Sequence, residues 1–175
     1  MKTTKKIHIL GGPGSGKSYA SKSLSKLLKI RCFDLDDLVW DNKVKSYGKK
    51  ASEKIRDKKL KIILKRRSWI IEGVYFKWLR SSFSDADCII ILTPNVFIRD
   101  FRIIWRFIKR KLTFKKIKHE SMRDVFNLLK WNHHYATDDL IKLKEFIKTF
   151  DKKIKYFKKA DHAIKYIQNQ VKITE

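Results

Sequence analysis

Glycine and proline are scarce in this chain. Six glycines and two prolines occur in 175 residues, and four of those glycines and one proline fall between Gly11 and Gly16. Backbone freedom is concentrated at one place, which points to a single special loop. No repeat, low-complexity tract or Gly/Ser linker interrupts the rest, so one domain over 1–175 is expected. Cysteine is limited to Cys32 and Cys88, both inside apolar runs and without a CxxC. That excludes a disulfide framework and a thiolate metal site, and fits buried thiols in the cytoplasm. Long hydrophobic runs are missing too. The longest unbroken one, Cys88–Leu92, is far short of the roughly 18 residues of a membrane helix. The stretch Ile7–Leu10 behind the basic N-terminus is too short for a signal peptide, so no membrane partner is expected. Acidic residues are outnumbered, 18 against 43 Lys plus Arg, for a net charge of +25.

What is present argues for a packed core. Hydrophobic residues make up 43%, and eleven Phe, six Tyr and five Trp exclude a disordered polyelectrolyte. The positive excess fits a binder of phosphates or nucleic acid, or a solvated lysine surface, since 33 of the cations are Lys and 10 are Arg.

Short apolar runs alternate with helical periodicity. Strands are predicted at Lys6–Leu10, Ile30–Phe33, Ser68–Glu72, Asp87–Leu92 and Lys153–Phe157. Helices are predicted from Lys17, over Ser52–Lys65, Phe76–Phe83, Pro94–Lys111, Ser121–Asn132 and Thr137–Phe150, and from Ala160. Thr137-Asp138-Asp139 reads as a cap followed by acids in a first turn. Phe97, Phe101, Ile104, Trp105 and Ile108 read as the inward face of their helix. Trp69, Trp78, Trp105 and Trp131 read as core or pocket walls. The pattern predicts an α/β fold, a five-stranded parallel sheet with helices on both faces. Ligands of such sheets bind beyond the carboxyl ends of the strands.

The glycine cluster lies at such an end. Gly11-Gly12-Pro13-Gly14-Ser15-Gly16-Lys17-Ser18 has the spacing G-x-x-x-x-G-K-[ST] between a strand and a helix. Glycines let successive N–H groups turn onto phosphate oxygens, and the following helix adds its positive end. Lys17 supplies a point charge to the β- and γ-phosphates, Ser18 a hydroxyl to Mg²⁺, and Tyr19 stands next in line. The competing reading is a chance Gly-rich turn.

Two further strand ends carry carboxylates. Asp34 and Asp36 point the same way in an extended segment and suit Mg²⁺ waters or an acceptor hydroxyl. Alternatively, Asp36 or Asp37 caps the next segment. Glu72-Gly73 ends the third strand and faces the phosphate loop if that strand neighbours the first. Asp85 and Asp87 fall at the opposite end and read as loop solvation.

Lys6–Ser18, Asp34-Leu35-Asp36, Trp69–Tyr75 and Cys88–Leu92 with Pro94 together resemble the small P-loop kinases, such as adenylate, shikimate and gluconate kinases. The similarity is nearest to the adenylate-kinase-related group called DNA topology modulation proteins. The resemblance implies a nucleoside-monophosphate-kinase-like P-loop NTPase fold, ATP with Mg²⁺, and transfer of the γ-phosphate to a nucleotide or hydroxyl metabolite. It implies that Asp34 and Ser18 hold the metal, that Asp36, Glu72 and Gly73 border the acceptor, and that Lys158-Lys159-Ala160 borders the base. Val74-Tyr75-Phe76 stands where adenylate kinases have Phe-Pro-Arg, and no lid domain is inserted.

Arg99, Arg102, Arg106, Lys109 and Arg110 share one side of the helix after Pro94, and Lys111, Lys115, Lys116 and Lys118 follow. The segment 94–118 therefore reads as a basic lid, with Arg102, Arg106 and Arg110 steadying the transferring phosphate. A nucleic-acid surface, as in an ATPase affecting DNA topology, and a solvated face are the alternatives. His133 and His134 are adjacent and not at metal-ligand spacing. Nothing in the pattern fixes the acceptor or the oligomeric state.

Overall fold

A computed structural model describes residues 5–40, 50–112 and 121–172. Lys115, Lys116 and Lys118 lie outside the described residues. Five parallel strands form one sheet in the order β2-β3-β1-β4-β5, with β1 Lys6–Gly11, β2 Cys32–Asp34, β3 Trp69–Gly73, β4 Cys88–Leu92 and β5 Ile154–Phe157. All five predicted strands are present, shifted by two residues or fewer at their ends.

Alternation along the strands divides the core into two layers. Ile7 and Ile9 of β1, Ile70 of β3 and Ile90 of β4 face α1 (Lys17–Leu28) and α8 (Ala160–Lys172), where Ala20, Leu24, Ala163 and Ile167 meet them. Leu10, Ile71, Ile89 and Ile91 face the other way. They pack on Leu38 of α2 (Asp36–Val39), Leu60 and Ile63 of α3 (Glu53–Leu64), Phe83 of α4 (Arg80–Asp85), and Leu143 and Ile147 of α7 (Leu140–Ile147). The β3 and β4 runs are unbroken in hydrophobicity save at Glu72 because both faces are covered. Burial raises the Cys88 thiol to about 11 and shifts Cys32 upward as well, so both thiols are held protonated.

Four local expectations are corrected. Asp85 and Asp87 are not loop solvation: Asp87 accepts the backbone N–H groups of Lys5 and Lys6 at 3.0 and 2.9 Å, and Lys6 Nζ lies 2.8 Å from Asp85. They anchor the start of β1. The helix expected from Phe76 begins at Arg80, because Phe76 and Leu79 are spent in a turn that buries both side chains. Thr137-Asp138-Asp139 caps nothing. It lies in a π-helical turn, Tyr135–Asp139, that carries α6 (Met122–His134) into α7 without a break.

The fourth correction is the largest. In α5 (Val96–Leu112) the inward residues are Arg99, Ile103 and Phe107, with Ile103 and Phe107 packed on Val125 of α6. Phe97, Phe101, Ile104, Trp105 and Ile108 face outward. Trp131 is also exposed, whereas Trp69 is buried and Trp78 half-buried. The cause is the neighbour of α5. Its N-terminal turns rest on the glycine loop, and the loop receives an arginine rather than a phenylalanine.

Candidate functional site

The register of the sheet brings the candidates together. Asp34 is level with Glu72 across β2 and β3, and Glu72 is level with Ile9 of β1, just before the glycine loop. Gly14 and Gly16 adopt positive φ, 67° and 94°, and Gly16 precedes the first residue of α1. A Cβ on Gly14 would stand 2.6 Å from the Arg99 carbonyl oxygen, so both conformation and space require glycine there. At Gly73 a Cβ would come within 2.7 Å of Leu35 Cδ1, so this residue lets the turn after β2 lie against β3.

The electrostatics are those of a compact ionic cluster. Lys17 is half-buried at the head of α1, with Nζ 3.5 Å from the Gly12 carbonyl oxygen. Burial lowers its pKa, the carboxylates of Glu72, Asp36 and Asp34 oppose that shift, and the charge of Arg106 adds to it. Asp34 Oδ1 accepts the Asp36 N–H at 2.9 Å, an Asx turn, and burial pushes its carboxyl upward with help from Asp36 and Asp37. Asp36 is exposed and accepts the Tyr75 hydroxyl at 2.9 Å. Glu72 is buried; desolvation raises its pKa while a hydrogen bond with Ser18 works against the rise. Glu72 Oε2 and Ser15 Oγ are buried without a hydrogen-bond partner. Buried polar atoms seldom stay unpaired, and these two, on β3 and in the glycine loop, leave an acceptor and a hydroxyl open to a ligand.

From the other side come the cations of α5. Arg102 Nη1 donates to the carbonyl oxygens of Gly14 and Ser15 at 3.2 and 3.4 Å. Arg106 stands near enough to Lys17 to lower its pKa. Arg110 follows on the next turn and is exposed. Two contacts of the loop are not encoded in the sequence pattern, the seat of Arg99 and that of Tyr135. Arg99 is buried over Gly12, its Nη2 donating to the Asn132 carbonyl oxygen at 3.4 Å, and it lies 5.6 Å from the Tyr135 ring. Only the proximity of Trp131-Asn132-His133 to α5 in the fold reveals this, and no spacing in the sequence encodes it. Tyr19 is exposed and lines a cavity of about 530 Å³ with Gly16, Asn95, Arg102, Lys158 and Ala160.

Glu72 offers a check on these electrostatics that needs no ligand. Its carboxyl holds a proton more tightly in the folded chain than at its ordinary value of 4.5. The resulting stability is fully present below about pH 4.5 and is lost as pH rises through the raised folded value. Glu72→Gln, uncharged throughout, should therefore melt higher than the wild type at neutral pH. The gap should close toward pH 4.5. Thermal melts across that range decide it, and a variant that melts lower at neutral pH refutes the buried-charge account.

The fold is the α/β P-loop NTPase fold. A gluconokinase from Sinorhizobium meliloti superposes with a TM-score of 0.58 at 14% identity, over 99% of this chain and 95% of its own. A shikimate kinase from Bacteroides thetaiotaomicron gives 0.52 at 14% identity, over 96% and 94%. An uncharacterized protein from Eubacterium ventriosum gives 0.56 at 15% identity, over 95% and 97%. Neither a protein-family model nor a curated protein matches the sequence. Among the described residues no helix is long and apolar enough to cross a membrane.

Proposed function

We propose that the chain is an ATP-dependent small-molecule kinase. The observation that carries this reading is the pairing of Asp34 with Glu72 across β2 and β3, beside the lysine of a glycine loop. A phosphate loop alone would serve hydrolysis. Carboxylates beside the loop, with Asp36 held by the Tyr75 hydroxyl, are what a phosphoryl acceptor needs.

In this reading Gly11–Ser18 hold the triphosphate by backbone N–H groups, with Lys17 on its terminal phosphates. Ser18 and Asp34, with Glu72 behind them, offer the hard oxygen donors that suit Mg²⁺. An ion held by them would supply charge neutralisation to the transferring phosphate. Asp34 or Asp36 orients the acceptor hydroxyl and receives its proton. The bond from γ-phosphorus to the bridging oxygen breaks as the bond to the acceptor oxygen forms. Arg102 and Arg106 meet the charge that develops, and Arg110 extends the same row. Lys158 to Ala160 border the base, beside Tyr19.

The acceptor is a nucleotide or hydroxyl metabolite. Kinase activity is tested with a panel of such compounds and labelled ATP: transfer to one of them supports the reading. ATP hydrolysis stimulated by nucleic acid, with no acceptor phosphorylated, favours the rival ATPase acting on DNA topology. Asp34→Asn separates role from architecture, because asparagine Oδ1 still accepts the Asp36 N–H and keeps the turn. Turnover should fall about 10²-fold with nucleotide affinity little changed, since the lost interaction belongs to the transferring state. Full turnover in this variant makes Asp34 a turn residue only.

A further inference from the structure

The outward face of α5 is unlike the surface of a highly charged protein. Phe97, Phe101, Ile104, Trp105, Ile108 and Leu112 are 41–72% exposed along one stripe about 25 Å long. Met122 and Phe126 of the adjoining α6 are more than 60% exposed. Apolar patches larger than a few hundred Å² are rare on a free surface and mark a binding face. The stripe has cations at its borders: successive positions of the helix place Lys109 along one edge and Lys111 along the other, while Arg102 is turned to the glycine loop. The acid of α5, Asp100, is held by Asn132 Nδ2 at 2.6 Å and His133 Nε2 at 2.8 Å.

From this arrangement we infer that the packed helices α5 and α6 dock on an anionic lipid bilayer, the α5 stripe lying in the interface plane. An apolar face with a lysine at either border has the composition of an interfacial helix, whose aromatic and aliphatic side chains enter the acyl boundary while the cations stay at the headgroups. Two other occupants fit less well. A second copy would bring the same cations against themselves, in a chain of net charge +25. Single-stranded nucleic acid stacks its bases on aromatic rings, and the four aliphatic residues Ile104, Ile108, Leu112 and Met122 offer it nothing. The absence of a membrane-crossing helix concerns spanning, and docking needs one face only. Arg99, on the far side of α5, stays packed on the glycine loop, so the docked helix keeps its place at the site.

The inference stands apart from phosphoryl transfer, and its test needs no ATP. The full chain is sedimented with vesicles of phosphatidylcholine alone, or mixed in equal parts with phosphatidylglycerol, at physiological salt. It should pellet with the anionic vesicles and remain in solution with the neutral ones. Phe101→Ser combined with Trp105→Ser should weaken partitioning at least about tenfold, since two large side chains leave the acyl boundary. Both residues are exposed, so the variant should melt with the wild type. Lys109→Glu with Lys111→Glu, which leaves every apolar residue in place, should abolish the preference for anionic vesicles. The proposal fails if the chain ignores anionic vesicles, or if the Phe101/Trp105 variant pellets as well as the wild type. It fails equally if the wild type sediments as a dimer that this variant breaks. Binding to a single-stranded oligonucleotide without binding to vesicles also overturns it.

Discussion

Lys17→Ala should leave a folded protein whose phosphoryl transfer is at least about 10³-fold slower than the wild type. Lys17 contributes charge, not packing: its ammonium is drawn down in pKa by burial and is held beside three carboxylates, Glu72, Asp36 and Asp34. Removing it leaves those carboxylates facing a triphosphate with no ammonium between them. The β1 and α1 core does not depend on it, because Ile7, Ile9, Ala20 and Leu24 close without its side chain. Circular dichroism and a thermal melt establish that the variant is folded, and a single-turnover assay with labelled ATP reads the loss. Lys17→Arg should not restore the rate, since a planar guanidinium does not reproduce the compact ammonium beneath the loop. Wild-type turnover in a folded Lys17→Ala chain would remove the glycine loop from the chemistry.

Much of this architecture is legible in the chain itself. The glycine loop declares its position because glycine is nearly absent elsewhere, and the strands declare theirs because Ile, Leu and Cys run unbroken at Cys88–Leu92 and nearly so at Trp69–Gly73. Asp34, Glu72 and Lys17 could be suspected of meeting because a parallel sheet collects the residues that follow its strands. What periodicity could not decide was the direction of α5. The helix carries an apolar stripe through Phe101 and Trp105 and a second, mixed one through Arg99, Ile103 and Phe107. Hydrophobicity favours the first as the inward side. The contact with Gly12 and Gly14 selects the second, and that contact depends on an approach made possible by two missing side chains in another part of the chain. The same holds for Tyr135, which reaches Gly12, and for Asn132, which reaches Arg99, only through the fold of α6 and the π turn against α5. Thr137-Asp138-Asp139 misled for a local reason: a capping residue with two acids behind it is equally tolerated in a π turn whose acids face His134 and Lys142.

The orientation of α5 gives the second large expectation. Arg106 lies near enough to Lys17 for its charge to be felt there, one turn beyond Arg102, which is already bonded to the loop carbonyls. An arginine brought to a transferring phosphoryl group is worth about 10³-fold or more in rate. Arg106→Ala should therefore cost transfer on that order while leaving ATP binding largely intact, because the charge it meets is greatest in the transition state. Arg106→Lys should recover only a small part of the loss: an ammonium keeps the charge but cannot offer two parallel N–H donors to two phosphate oxygens. A nucleic-acid face makes the opposite demand. It neutralises spaced phosphates one at a time, so lysine would serve, and duplex affinity would fall with salt at a log–log slope of about −0.9 per phosphate contacted. Single-turnover rates for the two variants, set beside a salt titration of duplex binding, separate the two uses of one helix. Full transfer by Arg106→Lys together with a salt-steep duplex complex would move Arg106 from the transferring phosphate to a polyanion surface.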